Sequence, residues 1–318
     1  MVFSIGRSIW AVFSIALIVS GCQTGSPYDP NSETYDTMHL HNGVSTTSAV
    51  CNKGEFTVWV SIDGEGDCIR YYPSFGTGST AVGKAVAFFF GDITYTTTEK
   101  AYPNLKASRL KTSSEKWLRA LKVDYIVIAR PGTLGSTGYH KDRRWKDGRE
   151  GRLINAALSE IMRRHGIEEI TVAGHSGGAN IAAQLMTYRS DIGCVVLASG
   201  ALNLREAYSR YAYYPDFDQY IGNHWDPIDH VATIPRNESR RVFLIVDHED
   251  QVVQSKASTT YHKAMKKHGH QATLLEGQSK GDRHHDLDHS ARYLAGDCAK
   301  GKAIDEIIAN ATNGGRKG

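Results

Sequence analysis

One stretch in the middle of the chain, ITVAGHSGGANIAA from Ile170 to Ala183, restricts the fold more than any other. An apolar run ends at a glycine-rich turn, and small residues with helical spacing begin directly after it. This pattern predicts a buried strand, a sharp turn and a helix, with Ser176 at the apex. Gly174 and Gly178 stand two positions before and after the serine. Strand and helix crowd together at such a turn, so only a residue without Cβ fits there.

The spacing of Gly174, Ser176 and Gly178 resembles the nucleophile elbow of the α/β-hydrolase superfamily. The resemblance implies that Ser176 is a nucleophile. It also implies that the backbone N–H of Gly177, at the positive end of the predicted helix, binds an oxyanion. A glycine-rich turn with an incidental serine is the structural alternative.

Apolar runs and helical patterns alternate along the rest of the chain. Strands are predicted at 56–62, 68–72, 84–90, 123–129, 192–199, 241–246 and 272–275, and helices at 149–165, 258–268 and 290–310. This order predicts the α/β class, with a mostly parallel central sheet and helices on both faces. Ligands bind such sheets at the carboxyl ends of the strands, where the elbow lies.

The size and charge of the chain limit its organisation and its partners. With 318 residues and 41% hydrophobic residues, we expect one large α/β-hydrolase domain at 51–318. The formal net charge is +3, with both signs mixed along the sequence, so no nucleic-acid partner is expected. An aromatic-rich insertion at about 203–240 is predicted to be a small cap, whose tyrosines either contact the substrate or form the cap's own core.

The acid of the expected triad follows the serine in the chain, because the superfamily order is serine, acid, histidine. The predicted strand 241–246 is followed by DHEDQVV, which resembles the superfamily's acid turn G-x-x-D-x-x-V. Asp250 and Val253 match that turn, while Asp247 replaces the usual glycine. Asp250 is the expected acid, Asp247 and Glu249 are the alternatives, and a helix-capping carboxylate is the structural alternative.

The loop 281–289, GDRHHDLDH, supplies the histidine. His285 resembles the superfamily base most closely, because it stands shortly before an apolar residue that starts the last helix. His284 and His289 are the alternatives. The spacing of His285 and His289, with aspartates nearby, would also suit a metal. Since the triad order already accounts for the histidine, we expect neither a metal nor an organic cofactor.

The loop after the predicted strand 84–90 is the expected source of a second oxyanion donor. The backbone N–H of Asp92 is the first choice and that of Ile93 the second. Further along, RPGTLGS begins at Arg130 and resembles the R-G-x-G-x-S stretch of the same superfamily. Arg130 either holds a loop or binds a substrate carboxylate, and the first role is favoured.

The N-terminus has the pattern of an export signal. The apolar stretch 9–19 is too short to cross a bilayer and is typical of a secretory signal peptide, here predicted at 1–21. VSGC, which ends at Cys22, resembles the lipobox of bacterial lipoproteins and implies lipidation of that cysteine and anchoring by acyl chains. Gln23 resembles the residue that outer-membrane lipoproteins of Gram-negative bacteria carry there. An ordinary signal peptide is the alternative, and 22–50 is predicted to be a flexible tether.

Export would place the remaining cysteines in an oxidising compartment. Cys51, Cys68, Cys194 and Cys298 allow three pairings, which the sequence alone does not separate. We favour Cys51 with Cys68 and Cys194 with Cys298. A buried thiol at Cys194 is the alternative.

These patterns predict an exported, lipid-anchored serine hydrolase with the triad Ser176, Asp250 and His285. A carboxylic ester hydrolase on small or medium esters is favoured. The alternatives are a serine peptidase of the prolyl-oligopeptidase type and a non-catalytic surface lipoprotein. The expected partners are a small-molecule ester or acyl substrate and a membrane, with no obligate protein partner.

Overall fold

The computed structural model describes residues 27–76, 79, 83–93, 100–140, 146–279 and 281–312. The expected signal peptide at 1–21 and the expected lipidation site Cys22 lie outside these residues. Among the described residues, no helix is long and apolar enough to cross a membrane.

A single sheet runs through the centre of the described chain. Its eight strands are β1 (Thr57–Ile62), β2 (Glu65–Ser74), β3 (Lys84–Phe89), β4 (Asp124–Ile128), β5 (Glu169–His175), β6 (Ile192–Ala198), β7 (Arg241–Val246) and β8 (Ala272–Glu276). They lie in the order β1-β2-β4-β3-β5-β6-β7-β8. The pairs β1–β2 and β2–β4 are antiparallel, and all the other pairs are parallel. The mostly parallel sheet is confirmed.

Helices cover the sheet on both sides. They are α1 (Thr37–Asn42), α2 (Ser48–Cys51), α3 (Ala107–Leu121), α4 (Arg149–His165), α5 (Gly177–Tyr188), α6 (Leu204–Ala207), α7 (Phe217–Gly222), α8 (Lys256–Lys267), α9 (Asp288–Ala299) and α10 (Ile304–Thr312). Short 3-10 turns lie at Tyr102–Asn104, Ser209–Tyr211 and Pro227–Thr233.

The core lies on both faces of the sheet, because successive side chains of a buried strand point to opposite faces. Ala87 and Phe89 of β3 pack with α4, α5 and α8, whereas Val86 and Phe88 pack with α3, α9 and α10. A strand buried on both faces needs apolar residues at every position, which explains the continuous apolar run of β3. The central parallel strands are thereby held between two helical layers.

Residues 27–50 are folded onto the domain, although the sequence indicates a flexible tether there. Tyr35 and Leu40 are 5% and 1% exposed, and the hydroxyls of Tyr35 and Tyr72 lie 2.7 Å apart. Val44 forms an isolated bridge with Gly138. These apolar residues are too widely spaced to give a periodic signal, yet Tyr35 and Leu40 are buried and Val44 is half-buried.

Disulfides join the cysteines of the described segments. Cys51 is bonded to Cys68, which ties α2 to β2. Cys194 is bonded to Cys298, which ties the inner strand β6 to α9 across 104 residues of sequence. These are the two pairs that the sequence favours.

The aromatic-rich insertion lies between β6 and β7 and is built from α6, α7 and 3-10 turns. Phe217 is 7% exposed and packs with the core. In contrast, Tyr211, Tyr213 and Tyr214 are 40%, 72% and 54% exposed. These three tyrosines, called the tyrosine cluster below, are therefore not the core of the cap.

Candidate active site

The predicted strand, turn and helix are present around Ser176. Strand β5 ends at His175, α5 begins at Gly177, and the serine between them has φ 56° and ψ −122°. A positive φ is strained for a residue with a side chain. A Cβ on Gly174 would lie 2.2 Å from the carbonyl oxygen of Gly178. The glycines therefore let strand and helix approach closely and place the serine at the carboxyl end of β5.

The loop after β3 lies directly against this serine. A Cβ on Gly91 would lie 3.0 Å from Cβ and 3.5 Å from Oγ of Ser176. On the other side, the backbone N–H of Ser176 donates to the carbonyl oxygen of Ala198 at the end of β6, at 2.9 Å. Ser176 is 8% exposed, so these segments nearly enclose it.

Asp250 and His285, which the sequence assigns to one site, are brought together. Nδ1 of His285 lies 2.8 Å from Oδ2 of Asp250. An ionised carboxylate accepts but does not donate, so Nδ1 carries the proton and Nε2 is left as an acceptor. The other carboxylate oxygen of Asp250 accepts from the backbone N–H of Val252 and Val253, at 2.7 and 2.9 Å. These bonds fix the direction of the carboxylate.

Two side chains fix the backbone of His285 beside the elbow. Nε2 of His175 donates to the carbonyl oxygen of His285 at 2.7 Å. The hydroxyl of Ser199 donates to the same oxygen at 2.9 Å. The rings of His175 and His285 are 4.7 Å apart. His285 is therefore tied to the residue that immediately precedes Ser176.

The hydroxyl of Ser176 and the ring of His285 are not hydrogen-bonded to each other, although both residues belong to the described chain. Catalytic hydrogen bonds are often long without a substrate and tighten when one binds. The structure thus places His285 next to the elbow without a hydrogen bond between its ring and the hydroxyl of Ser176.

His284, the alternative base, belongs to a different pair. Its Nδ1 lies 3.2 Å from Asp247 and 3.4 Å from Glu249. Burial alone would raise the pKa of Asp247, but hydrogen bonds from the backbone N–H groups of Ser279 and Glu249 and from His284 outweigh it and lower that pKa. Asp247, a candidate acid in the sequence, is thus bonded to a histidine other than His285.

The same three side chains are the described residues that could hold a metal. One potential ligand atom each from Asp247, Glu249 and His284 lies within 4.8 Å of the others. The sequence pointed instead to His285 and His289 as a metal pair. His285 is bonded to Asp250, and the ring of His289 packs on a tryptophan.

Arg130 lies under the loop that touches the serine. Its guanidinium is 2% exposed and contacts Glu150 at 2.6 Å and Asp92 at 2.7 Å. A further N–H points to the carbonyl oxygen of Phe90 at 3.4 Å. Burial alone would lower the pKa of Arg130, but the charges of Glu150 and Asp92 outweigh it and raise the pKa above its ordinary value. The arginine therefore holds the loop, which is the favoured of its two predicted roles.

Solved structures share this architecture. The chain resembles an esterase of Pyrococcus furiosus over 82% of its own length and 96% of the esterase, with a TM-score of 0.53 and 12% identity. It resembles an acylaminoacyl peptidase of Pyrococcus horikoshii over 83% of its length and 42% of that chain, with a TM-score of 0.51 and 13% identity. It also resembles prolyl oligopeptidase B of Galerina marginata, over 80% of its own length and 36% of that chain, with a TM-score of 0.51 and 15% identity. No family model and no curated protein matches the chain.

The chain has the α/β-hydrolase fold. In an α/β-hydrolase, oxyanion donors come from the residue after the nucleophile and from the loop after the third strand. Gly177 begins α5, and Asp92 lies in the loop that Arg130 holds. The backbone N–H of Ile93, the second choice, is bonded to Nε2 of His140 at 3.2 Å.

Some residues that support this α/β-hydrolase site were not predicted. His175 and Ser199 fix His285 but belong to no motif of their own. Burial of the His175 ring and the neighbouring charge of His285 lower the pKa of His175. Glu150, the partner of Arg130, stands in the first turn of α4, where an acidic residue is ordinary. The sequence therefore gives only a weak indication that Glu150 pairs with Arg130.

Proposed function

We propose that the protein is a serine hydrolase that works by acyl transfer, with Ser176 as nucleophile, His285 as general base and Asp250 as the acid that orients the base. The observation that supports this most is the 2.8 Å bond between His285 and Asp250, beside the strained elbow of Ser176. A serine hydroxyl is a weak nucleophile until an imidazole takes its proton. Asp250 keeps Nδ1 protonated, so that Nε2 is the basic atom.

In the proposed reaction, Oγ of Ser176 attacks the carbonyl carbon of an ester, and Nε2 of His285 takes the hydroxyl proton. The backbone N–H groups of Gly177 and Asp92 bind the oxyanion that forms. His285 then gives its proton to the leaving alcohol, and the acyl group stays on the serine. Water, deprotonated by His285, attacks the acyl-enzyme and releases the acid.

A carboxylic ester is the proposed substrate, of small or medium size. The cap is short and polar with exposed tyrosines, so it does not form the long apolar lid that would suit a lipid chain. The esterase with the same fold is matched over nearly its whole length, at 96%. These two observations support ester hydrolysis by an enzyme with an accessible site.

A serine peptidase is the second candidate, because two peptidases share the fold. The chain spans 42% and 36% of their lengths. Both peptidases are longer chains, of which less than half is matched. Their likeness therefore supports peptidase activity only weakly, and the match to the esterase favours ester hydrolysis.

We further propose that the protein is exported and held at the bacterial envelope by acyl chains on Cys22. Disulfides such as Cys194–Cys298 form and persist in oxidising compartments, which supports export. Replacing Cys22 with serine should move the protein from the membrane fraction to the soluble fraction of expressing bacteria. Unchanged fractionation would contradict the anchor.

The proposed activity is tested by comparing p-nitrophenyl esters with aminoacyl p-nitroanilides. We expect the short esters to be hydrolysed with the higher kcat/KM. Ser176→Ala should lower that value by about 10⁴-fold or more, since a triad works as a unit. Preferential hydrolysis of the anilides would replace the esterase with the peptidase.

His284 and His285 form a matched pair of variants, because they are adjacent and each contacts an aspartate. His285→Ala should abolish ester hydrolysis, whereas His284→Ala should keep most of it. Circular dichroism of both variants checks that they fold. The opposite result would make His284 the base.

A further inference from the structure

A cavity of about 630 Å³ opens beside the proposed catalytic acid. Asp250 lines it, together with residues of the cap, of the turn after β7 and of the loop that carries His285. Cavities of 300–1,000 Å³ are typical of small-molecule sites, but most of those are lined by apolar side chains. This one is lined mainly by polar groups, so it would suit a hydrophilic ligand.

Of the described residues that line this cavity, three carry a permanent positive charge, and each comes from a different segment. Arg210 belongs to the cap, Lys256 begins α8, and Arg283 lies two residues before His285. We call the space between them the basic cavity. Cations that are adjacent in sequence usually form a solvated face. Here the fold itself brings distant cations together.

Hydrogen bonds hold two of these segments on the acid turn. Arg210 donates to the carbonyl oxygen of Gln251. The backbone N–H of Gln251 donates to the carbonyl oxygen of Arg283 at 2.9 Å. The contact that Arg210 makes here is to a neutral group, so it leaves the charge of the guanidinium available. The cap and the loop that carries Arg283 are therefore both hydrogen-bonded to the turn at Gln251.

The carboxylates of Asp250 and Glu206 near the basic cavity already have hydrogen-bond or ion-pair partners. Asp250 accepts from His285 and from two backbone N–H groups. Glu206 lies 2.8 Å from Lys256, whose side chain is 65% exposed, and an ion pair open to water on one side contributes little. An anionic ligand could therefore compete with Glu206 for the lysine and contact the arginines.

The tyrosine cluster is adjacent in sequence to a residue that lines the basic cavity. Tyr211 directly follows Arg210 in the same 3-10 turn. The rings of Tyr213 and Tyr214 are 4.3 Å apart, and those of Tyr211 and Tyr214 are 6.4 Å apart. Exposed aromatic groups of this kind mark ligand or partner sites. Their rings offer an apolar face with a polar tip, which suits a sugar ring.

We propose that the basic cavity and the tyrosine cluster bind a carboxylate-bearing sugar unit of an ester substrate. The proposal rests on the proposed hydrolase function and names the substrate class for it. The carboxylate lies between the cations, and the sugar ring packs on the tyrosines. Asp250 lines the basic cavity and is bonded to Nδ1 of His285. In the proposed reaction the proton of Ser176 goes to Nε2, on the opposite side of the same ring. The charged unit is therefore separate from the ester carbonyl, and the substrate is extended.

Binding is tested without turnover in the Ser176→Ala protein by titration calorimetry. The probes are glucuronate, glucose and inorganic phosphate. We expect glucuronate to bind at least about tenfold more tightly than glucose, because a charge-assisted contact is worth about a factor of ten or more. We also expect it to bind more tightly than phosphate, because phosphate has no ring to stack.

Variants locate the site. Lys256→Gln and Arg283→Gln should each weaken glucuronate binding by about tenfold. Lys267→Gln is the matched control, since Lys267 is an exposed cation at the other end of the same helix, roughly 16 Å away at 1.5 Å per residue. The control should bind like the parent protein.

Each other outcome overturns the proposal. Equal binding of glucose and glucuronate would remove the role of the charge, and equal binding of phosphate would leave a simple anion site. No binding, or binding that Lys256→Gln and Arg283→Gln do not weaken, would remove the site itself. The proposed function fails by a different result, the absence of ester hydrolysis by the unmodified protein, so the two failures can be told apart.

Discussion

Replacing Arg130 with methionine would remove a cation from a buried contact with two carboxylates. The side chains of Asp92 and Glu150 are 5% and 4% exposed, and Arg130 itself is 2% exposed. Methionine has a similar length but no charge. Both carboxylates would then lose their contacts with the guanidinium while remaining out of reach of water.

The expected loss of stability is large. Breaking a buried ion pair by removing one partner costs about 3–5 kcal/mol, because the remaining charge loses that contact while it stays buried. Domains are stable by about 5–15 kcal/mol. Arg130→Met should therefore lower the free energy of unfolding by a substantial fraction. Arg130→Lys should cost less, because it keeps the charge but loses the two-pronged contact with Glu150.

The assay is urea unfolding followed by circular dichroism, with kcat measured on a short p-nitrophenyl ester below the unfolding range. Arg119→Met is the matched control, since Arg119 is 64% exposed and its carboxylate partner is 4.0 Å away. We expect it to cost less than about 0.5 kcal/mol. Adding Glu150→Gln to Arg130→Met removes one of the two buried carboxylate charges and should recover part of the loss.

The same variant tests the oxyanion site, because Arg130 holds Asp92 and the carbonyl of Phe90. Misplacing one oxyanion donor should lower kcat by about 100-fold in folded protein. If Arg130→Met unfolds at the same urea concentration as Arg119→Met, the argument from buried charge is wrong. If stability falls but kcat does not, Arg130 has no part in positioning the donor.

Three further predictions concern packing, pH and the covalent cross-link. Gly178→Ala would place a Cβ 2.2 Å from the carbonyl oxygen of Phe89, so we expect a loss of about 1–3 kcal/mol in chemical denaturation, with the ester assay also impaired. Burial raises the pKa of Asp226 to about 6. The folded protein then binds this proton more tightly than the unfolded chain does, and stability falls by up to about 3 kcal/mol as the pH rises from about 4 to 6. Asp226→Asn should remove that fall in a Tm series against pH, and an unchanged slope would assign it to other groups. Replacing Cys194 and Cys298 with alanine should cost about 4 kcal/mol, more than losing the disulfide with a separation of 17 residues, because the closed loop is longer.

Parts of the fold with a strong local signal could be predicted from the sequence. The helix at 149–165 has the predicted bounds because its apolar residues repeat at helical spacing and Gly166 follows with φ 62°. Strand β7 also has its predicted bounds, 241–246. The expected single helix at 290–310 is instead α9 and α10, since Gly301 adopts φ 72° between them.

Other parts depend on contacts between distant segments. Helix α3 was not predicted, although Leu110, Trp117 and Leu121 give it an apolar face. The pairing of Asp250 with His285 was predicted from motif order. The anchoring of that histidine by His175 was not, because it arises from packing between segments 110 residues apart. Sequence patterns thus predicted the proposed reacting groups but not the residues that position them.

The most direct test of the central claim is covalent labelling of the folded protein with a fluorophosphonate, followed by mass spectrometry of its peptides. The account predicts one modified residue, Ser176, and no labelling after Ser176→Ala. It also predicts that labelling is strongly slowed by His285→Ala but hardly by His284→Ala. Folded protein in which Ser176 stays unmodified, or in which His285→Ala labels as fast as the unmodified sequence, would contradict the proposed activation of this serine.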